Sequence, residues 1–138
     1  MRSGRVLLIR RAKAPLRGRW MIPGGRLRLG EGLREAVERE VREETGVVVR
    51  ARRVLVVAEH IERLARRVRV HFVIVDYACD YVSGVPRAGS DALAAAWVNA
   101  ARLEEYDLPA PALAVVRAGL GLATRARLRG APRSAEVE

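Results

Sequence analysis

Residues Leu33 to Thr45 constrain the fold of this chain more than any other stretch. Leu33, Val37 and Val41 recur at four-residue steps with Ala36 beside them, the spacing of one apolar helix face. Pro23-Gly24-Gly25 ahead of the segment is a turn, and Gly46 behind it is a C-terminal stop. The spacing predicts a bounded helix that lays its stripe on a core. The remaining surface is acidic, with Glu35, Glu38, Glu40, Glu43 and Glu44. Like charges four apart on a helix, such as Glu40 and Glu44, repel by roughly 0.2–0.5 kcal/mol. On a helical wheel Glu40 and Glu44 lie about 40 degrees apart, with Glu43 about 60 degrees to the other side of Glu40. The three share a face bordering the apolar stripe, and carboxylates held this way suit a hard divalent cation such as Mg²⁺. Arg39 can pair with Glu35 or Glu43, four residues to either side, or reach back to Glu31. The plainer reading is a solvated helix whose acids pair with Arg34, Arg39 and Arg42. That reading requires the glycine turn, Glu31 and Gly46 to coincide by accident.

The surrounding pattern alternates strands and helices. Arg5–Arg11 reads as a buried strand, Ala12–Arg19 as a basic loop and Trp20–Ile22 as a short extended piece. Val47–Ala58 reads as a strand interrupted around Arg50–Arg53, and Glu59–Ala65 as a connecting loop. Arg66–Tyr77 has Val68, Val70, Phe72 and Ile74 at period two, and Ala78–Val82 either prolongs it or forms the next strand. Ser83–Asp91 is a loop and Ala94–Val98 a further strand. A short helix is expected near Ala101–Glu105. A longer one, from Pro109 to Thr124, would pack through Leu113, Val116, Leu120 and Ala123. The pattern gives one α/β domain over residues 1–124, with residues 125–138 as a polar tail.

Charge and composition narrow the function classes without naming one. The chain of 138 residues carries a formal net charge of +10, with Lys13 as its one lysine. Arginine suits phosphate contacts, as in a nucleotide or a nucleic acid, although generic surface arginine accounts for most of it. No helix-turn-helix, finger or basic zipper pattern is present, which disfavours DNA binding. No apolar run approaches the roughly 20 residues needed to span a bilayer, and the N-terminal apolar run ends at Arg10 and Arg11, too short for a signal peptide. A cytoplasmic location without membrane partners is the expectation. Cys79 is alone, and with only His60 and His71 beside it a Cys/His zinc site is disfavoured.

Written as a pattern, the central stretch runs Gly25, five residues, Glu31, seven residues, Arg39-Glu40-Val41, one residue, Glu43-Glu44, one residue, Gly46-Val47. Every fixed position matches the motif of the Nudix hydrolases. The preceding Trp20 to Gly25 also resembles that family's lead-in, and the resemblance extends over residues 4 to 124. It implies an α/β/α sandwich with a mixed β-sheet between helices, and hydrolysis of a nucleoside diphosphate linked to another group. By the resemblance, Glu40 and Glu44 are the principal Mg²⁺ or Mn²⁺ ligands, Glu43 is a further ligand or acid/base group, and the Gly25 carbonyl completes the shell. Arg39 and Glu31 would form a supporting ion pair.

Outside this motif, Asp91 is the candidate for an additional catalytic carboxylate, with Glu59 and Glu62 as rivals. Arg19, Trp20, Gly24 and Gly25 are candidates for substrate contact, and Arg17 could also meet phosphate. Trp20 and Trp97 have a simpler reading as core or rim aromatics, and Asp91 as a turn or cap residue. Family members have a strand ahead of the segment resembling Gly4–Arg11. Here the chain begins almost at that point, and a strand lacking there would leave a sheet edge unpaired. The expected partner is a small nucleotide, with ADP-ribose favoured, an RNA 5′ end kept open and a homodimer compatible. The alternatives are a nucleoside triphosphate pyrophosphohydrolase and a non-catalytic nucleotide-sensing domain, which would be expected to lose motif carboxylates.

Overall fold

The computed structural model describes residues 1–130, with side chains through residue 121. Strand β1 (Arg5–Arg11) has four consecutive buried residues, Val6 to Ile9, because apolar layers cover both its faces. Val6 and Leu8 point to one layer, packing with Val98, Leu103, Leu108 and Val116. Leu7 points the opposite way, packing with Val41, Val47 and Val49. This alternation makes β1 the centre of the molecule.

On either side of β1 lie β2 (Trp20–Met21) and β5 (Ala92–Asn99), giving the order β2-β1-β5. Helix α1 (Leu33–Thr45) covers one face of this sheet. A 3-10 helix (Ala100–Tyr106) and α2 (Ala110–Gly130) cover the other. The second sheet is a hairpin of β3 (Val48–Leu64) and β4 (Arg67–Ser83). Its base joins the α1 layer through Val49, Cys79 and Tyr81. Layered helices and sheets are as the sequence implies. The strands divide between two sheets, and the pairings within each are antiparallel.

Helix α1 has the bounds its periodicity predicts. The Glu35 carboxylate accepts the Gly32 N–H at 3.0 Å, satisfying a donor at the helix start. Gly46 ends the helix at φ 71°, where its N–H reaches the Arg42 carbonyl. Val41 and Ala36 are buried, whereas Leu33, at the open end of the stripe, is exposed. Glu38 accepts the Ala51 N–H at 2.8 Å, pinning α1 to β3 at the register shifts following Ala51. These shifts coincide with the expected interruption around Arg50–Arg53.

Two expectations need correction. Glu59–Leu64 is strand, paired with β4 from Glu59↔Val73 to Leu64↔Arg67, and the connection shrinks to Ala65 and Arg66. Helix α2 continues past Thr124 to Gly130, since arginine, alanine and leucine are good helix formers. Leu113, Val116 and Leu120 pack on the core as expected. The Ala123 side chain and residues 131–138 of the expected tail lie outside the described residues. No helix among the described residues is long and apolar enough to cross a membrane.

Candidate functional site

The chain leaves β2 through Pro23-Gly24-Gly25 and passes directly against α1. The Gly24 N–H donates to Glu44 Oε2 at 2.9 Å. A β-carbon on Gly25 would overlap the Glu40 carboxylate, so glycine is what allows the backbone this close to an acid. Glu44 is only 7% exposed. Burial pushes its carboxyl up from 4.5 to about 7, with the Gly24 N–H opposing the rise and the Glu40 charge adding to it.

Arg39 organises the other acids. Its Nε and Nη2 grip Glu31 at 2.5 and 3.0 Å, a two-pronged contact that a lysine could not make. Nη1 reaches Glu40 at 2.8 Å and Glu43 at 3.1 Å, and Nη2 also donates to the Arg26 carbonyl at 3.0 Å. Hydrogen bonds from Arg39 and from the Arg28 N–H hold Glu31 down to about 2, so it stays ionised. In return Glu31 and Glu40 hold the Arg39 guanidinium above its ordinary value. One side chain thereby ties the Arg26–Glu31 loop to the helix.

These carboxylates are not gathered into a ready-made cage. Among the described residues no three Asp, Glu, His or Cys groups are placed to hold a metal ion, and Arg39 occupies one oxygen each of Glu40 and Glu43. The donor chemistry nevertheless fits a hard divalent cation. Glu40, Glu43 and Glu44 offer only oxygens, and the Gly25 backbone lies against Glu40 with no side chain between. Compressing like charges around a buried carboxylate is unfavourable unless a positive charge shares the site.

The site opens onto a broad cleft among α1, the first sheet, the hairpin and part of α2. Asp91 lies at its edge, where Lys13 Nζ meets Asp91 Oδ1 at 2.5 Å. Its φ of 58° is left-handed, a conformation aspartate tolerates better than most residues. The Ala12 N–H donates to the Asp91 carbonyl at 3.1 Å. Across the cleft, the Arg26 guanidinium stands 5.6 Å from the centre of the Phe72 ring.

Glu31, Arg39, Glu40, Glu43, Glu44, Gly24 and Gly25 are thus brought together, with Asp91 on the same cleft. Arg19 and Trp20 are not. Period two along β2 turns Met21 to the cleft and Trp20 to the opposite face, where its ring meets Tyr106 edge-on at 5.2 Å. Arg19 Nη2 donates to the Asp107 carbonyl at 2.7 Å on that same side. The earlier substrate-contact assignment of Arg19 and Trp20 is therefore corrected. Trp97 packs edge-on with Tyr81 at 5.8 Å, the core role of the simpler reading. Glu59 and Glu62 pair along the hairpin with His71 at 2.8 Å and Arg69 at 3.4 Å and, unlike Asp91, do not line this cleft. Sequence reasoning missed Lys13, Arg26 and Phe72 as cleft residues. Only the position of Lys13 just beyond a strand end offered a signal.

Comparison with known proteins gives a consistent answer. A NUDIX domain model matches residues 1–118. Over 91 residues the chain is 34% identical to an ADP-ribose pyrophosphatase of Methanocaldococcus jannaschii, covering 66% of this chain and 52% of that protein. It therefore spans about half the length of that relative. The crystal structure of a MutT NUDIX hydrolase from Burkholderia pseudomallei matches with a TM-score of 0.63 at 32% identity, covering 85% of this chain and 89% of that one. The NUDIX domain of Shewanella oneidensis NrtR, solved with ADP ribose, matches with a TM-score of 0.68 at 25% identity, covering 90% and 77%. With the motif complete, the fold shared and residues 1–118 matched, the chain belongs to the Nudix family.

Proposed function

We propose that this chain is a metal-dependent hydrolase cleaving the pyrophosphate bond of a nucleoside diphosphate linked to a second group, with ADP-ribose favoured. The observation that carries this reading is the meeting of the Gly24-Gly25 turn with Glu40 and the buried Glu44. Magnesium or manganese, held by Glu40 and Glu44 with Glu43 and the Gly25 carbonyl as further donors, would offset phosphate charge and lower the pKa of an attacking water. Arg39 and Glu31 position these donors by locking the loop to α1. Asp91, which lines the same cleft beside Lys13, would orient the water or take its proton. The water oxygen bonds to one phosphorus and the bridging P–O bond breaks with its electron pair. ADP-ribose thereby yields AMP and ribose 5-phosphate.

The ADP-ribose pyrophosphatase of Methanocaldococcus and the ADP ribose bound to the NrtR domain support ADP-ribose as substrate. A second reading, pyrophosphohydrolysis of a nucleoside triphosphate, is favoured by a Mycobacterium tuberculosis relative, 34% identical over 116 residues, that is named a putative 8-oxo-dGTP diphosphatase. One panel tests both: ADP-ribose, dinucleotides, nucleotide sugars, and canonical and oxidised triphosphates, scored by kcat/KM with Mg²⁺ and with chelator. The reading requires metal-dependent turnover, highest on ADP-ribose. Higher kcat/KM on a triphosphate would favour the second reading, and binding without turnover in metal would overturn both.

A further inference from the structure

The last carbonyls of a helix have no partner inside it. At the end of α1 one loop, between β4 and β5, supplies partners for three in succession. Arg87 N–H donates to the Thr45 carbonyl at 2.9 Å, Gly89 N–H to Glu44 at 2.9 Å, and Ser90 N–H to Glu43 at 3.0 Å. Ser90 Oγ adds a longer contact of 3.4 Å to the Glu43 carbonyl. Two of these residues, Glu43 and Glu44, carry the carboxylates of the site.

Such close backbone approach leaves no room at Gly89. A β-carbon there would overlap the Glu43 carbonyl oxygen and lie 3.0 Å from the Glu44 carbonyl carbon. The obstacle is helix backbone, which cannot rotate aside as a side chain can. Gly84, at the other end of the loop, is similarly enclosed, with the Gly46 carbonyl oxygen 2.6 Å from where its β-carbon would stand. Asp91 follows Gly89 by two residues and is tied on its far side to Ala12 and Lys13. The loop therefore spans from the backbone of α1 to the end of β1, with Asp91 at the second anchor.

We infer that Gly89 is a positioning residue: its missing side chain lets the loop seat on the Glu43 and Glu44 backbone, and that seating sets Asp91 against the α1 carboxylates. The inference rests on the hydrolase reading above and deepens it. Gly89 touches no reacting atom; it acts through Asp91. A methyl group at this position shifts the loop off the helix end, and misplacement of about 1 Å can cost as much as 100-fold in rate.

The test is a double-mutant cycle on ADP-ribose with saturating Mg²⁺, using wild type, G89A, D91N and G89A/D91N, each with a thermal melt. Gly89→Ala is expected to lower kcat by about 10- to 100-fold with KM within about twofold. The double variant is expected to be no slower than D91N alone, because both changes remove one function. Losses that multiply in the double variant would overturn the inference, as would wild-type kcat in G89A or in D91N. Should G89A fail to melt cooperatively, Ser90→Pro, which deletes the donor to the Glu43 carbonyl without adding bulk at residue 89, carries the same cycle. Absence of metal-dependent turnover in wild type marks failure of the hydrolase reading itself; active wild type with multiplying losses marks failure of this inference alone.

Discussion

Glu44→Gln separates the stability of the site from its chemistry. The Glu44 carboxyl titrates at about 7 in the folded protein against 4.5 for the free group, with burial as the leading cause. A rise of this size, at about 1.4 kcal/mol per unit, makes the ionised side chain cost the metal-free fold about 3 kcal/mol. The sign follows from proton binding. Between pH 4.5 and about 7 the folded state holds a proton that the unfolded state has released, so stability falls as pH rises through that window and then levels off. Glutamine keeps the volume and an oxygen for the Gly24 N–H but never ionises. With chelator at pH 8, Glu44→Gln is expected to melt about 10 °C above wild type, whereas near pH 4.5 the two should melt together. Its metal-dependent turnover should be lost at every pH. Melting curves at half-unit pH steps with EDTA provide the assay. A variant no more stable than wild type at pH 8, or one retaining near-normal turnover, would refute the reasoning.

Three further outcomes follow from the geometry. Arg39→Ala should lower both Tm and kcat, because Glu31, Glu40 and Glu43 lose their shared cation; unchanged melting and rate would show that the pair is incidental. Gly25→Ala should raise the Mg²⁺ concentration needed for half-maximal rate, since its methyl group displaces the Glu40 carboxylate, and an unchanged metal titration would contradict this. Trp20→Phe should leave KM for ADP-ribose within about twofold while lowering Tm, because the indole packs on Tyr106 away from the cleft; a large KM increase would place it at the substrate.

Features carried by side-chain pattern were legible in the sequence. Helix α1 was bounded by its four-residue apolar steps and by Gly46, and the double-sided burial of β1 by the unbroken Val6–Ile9 run. Spacing left Arg39 open to Glu35, Glu43 or Glu31, and the family resemblance singled out Glu31, whose carboxylate the guanidinium grips. The hairpin tip was misread because Ala65 takes φ 53° without the glycine or asparagine that usually marks such a turn. Glu59 and Glu62 then looked like loop acids, although their neighbours Val57 and Ile61 pair across to Val75 and His71. Arg19 and Trp20 were placed by nearness in sequence to the motif, whereas strand alternation decides which face a side chain takes. The seating of Gly89 on α1 is made by backbone groups, which every residue carries, so residue types gave no sign of it.

The central claim is that α1 and the glycine turn hold the divalent cation on which hydrolysis depends. Anomalous diffraction from crystals soaked with Mn²⁺ and a non-hydrolysable ADP-ribose analogue tests it most directly. The account predicts manganese bonded to carboxylate oxygens of Glu40 and Glu44, with the analogue's pyrophosphate beside it. Manganese bound elsewhere, with those oxygens still turned to Arg39 and Gly24, would contradict it.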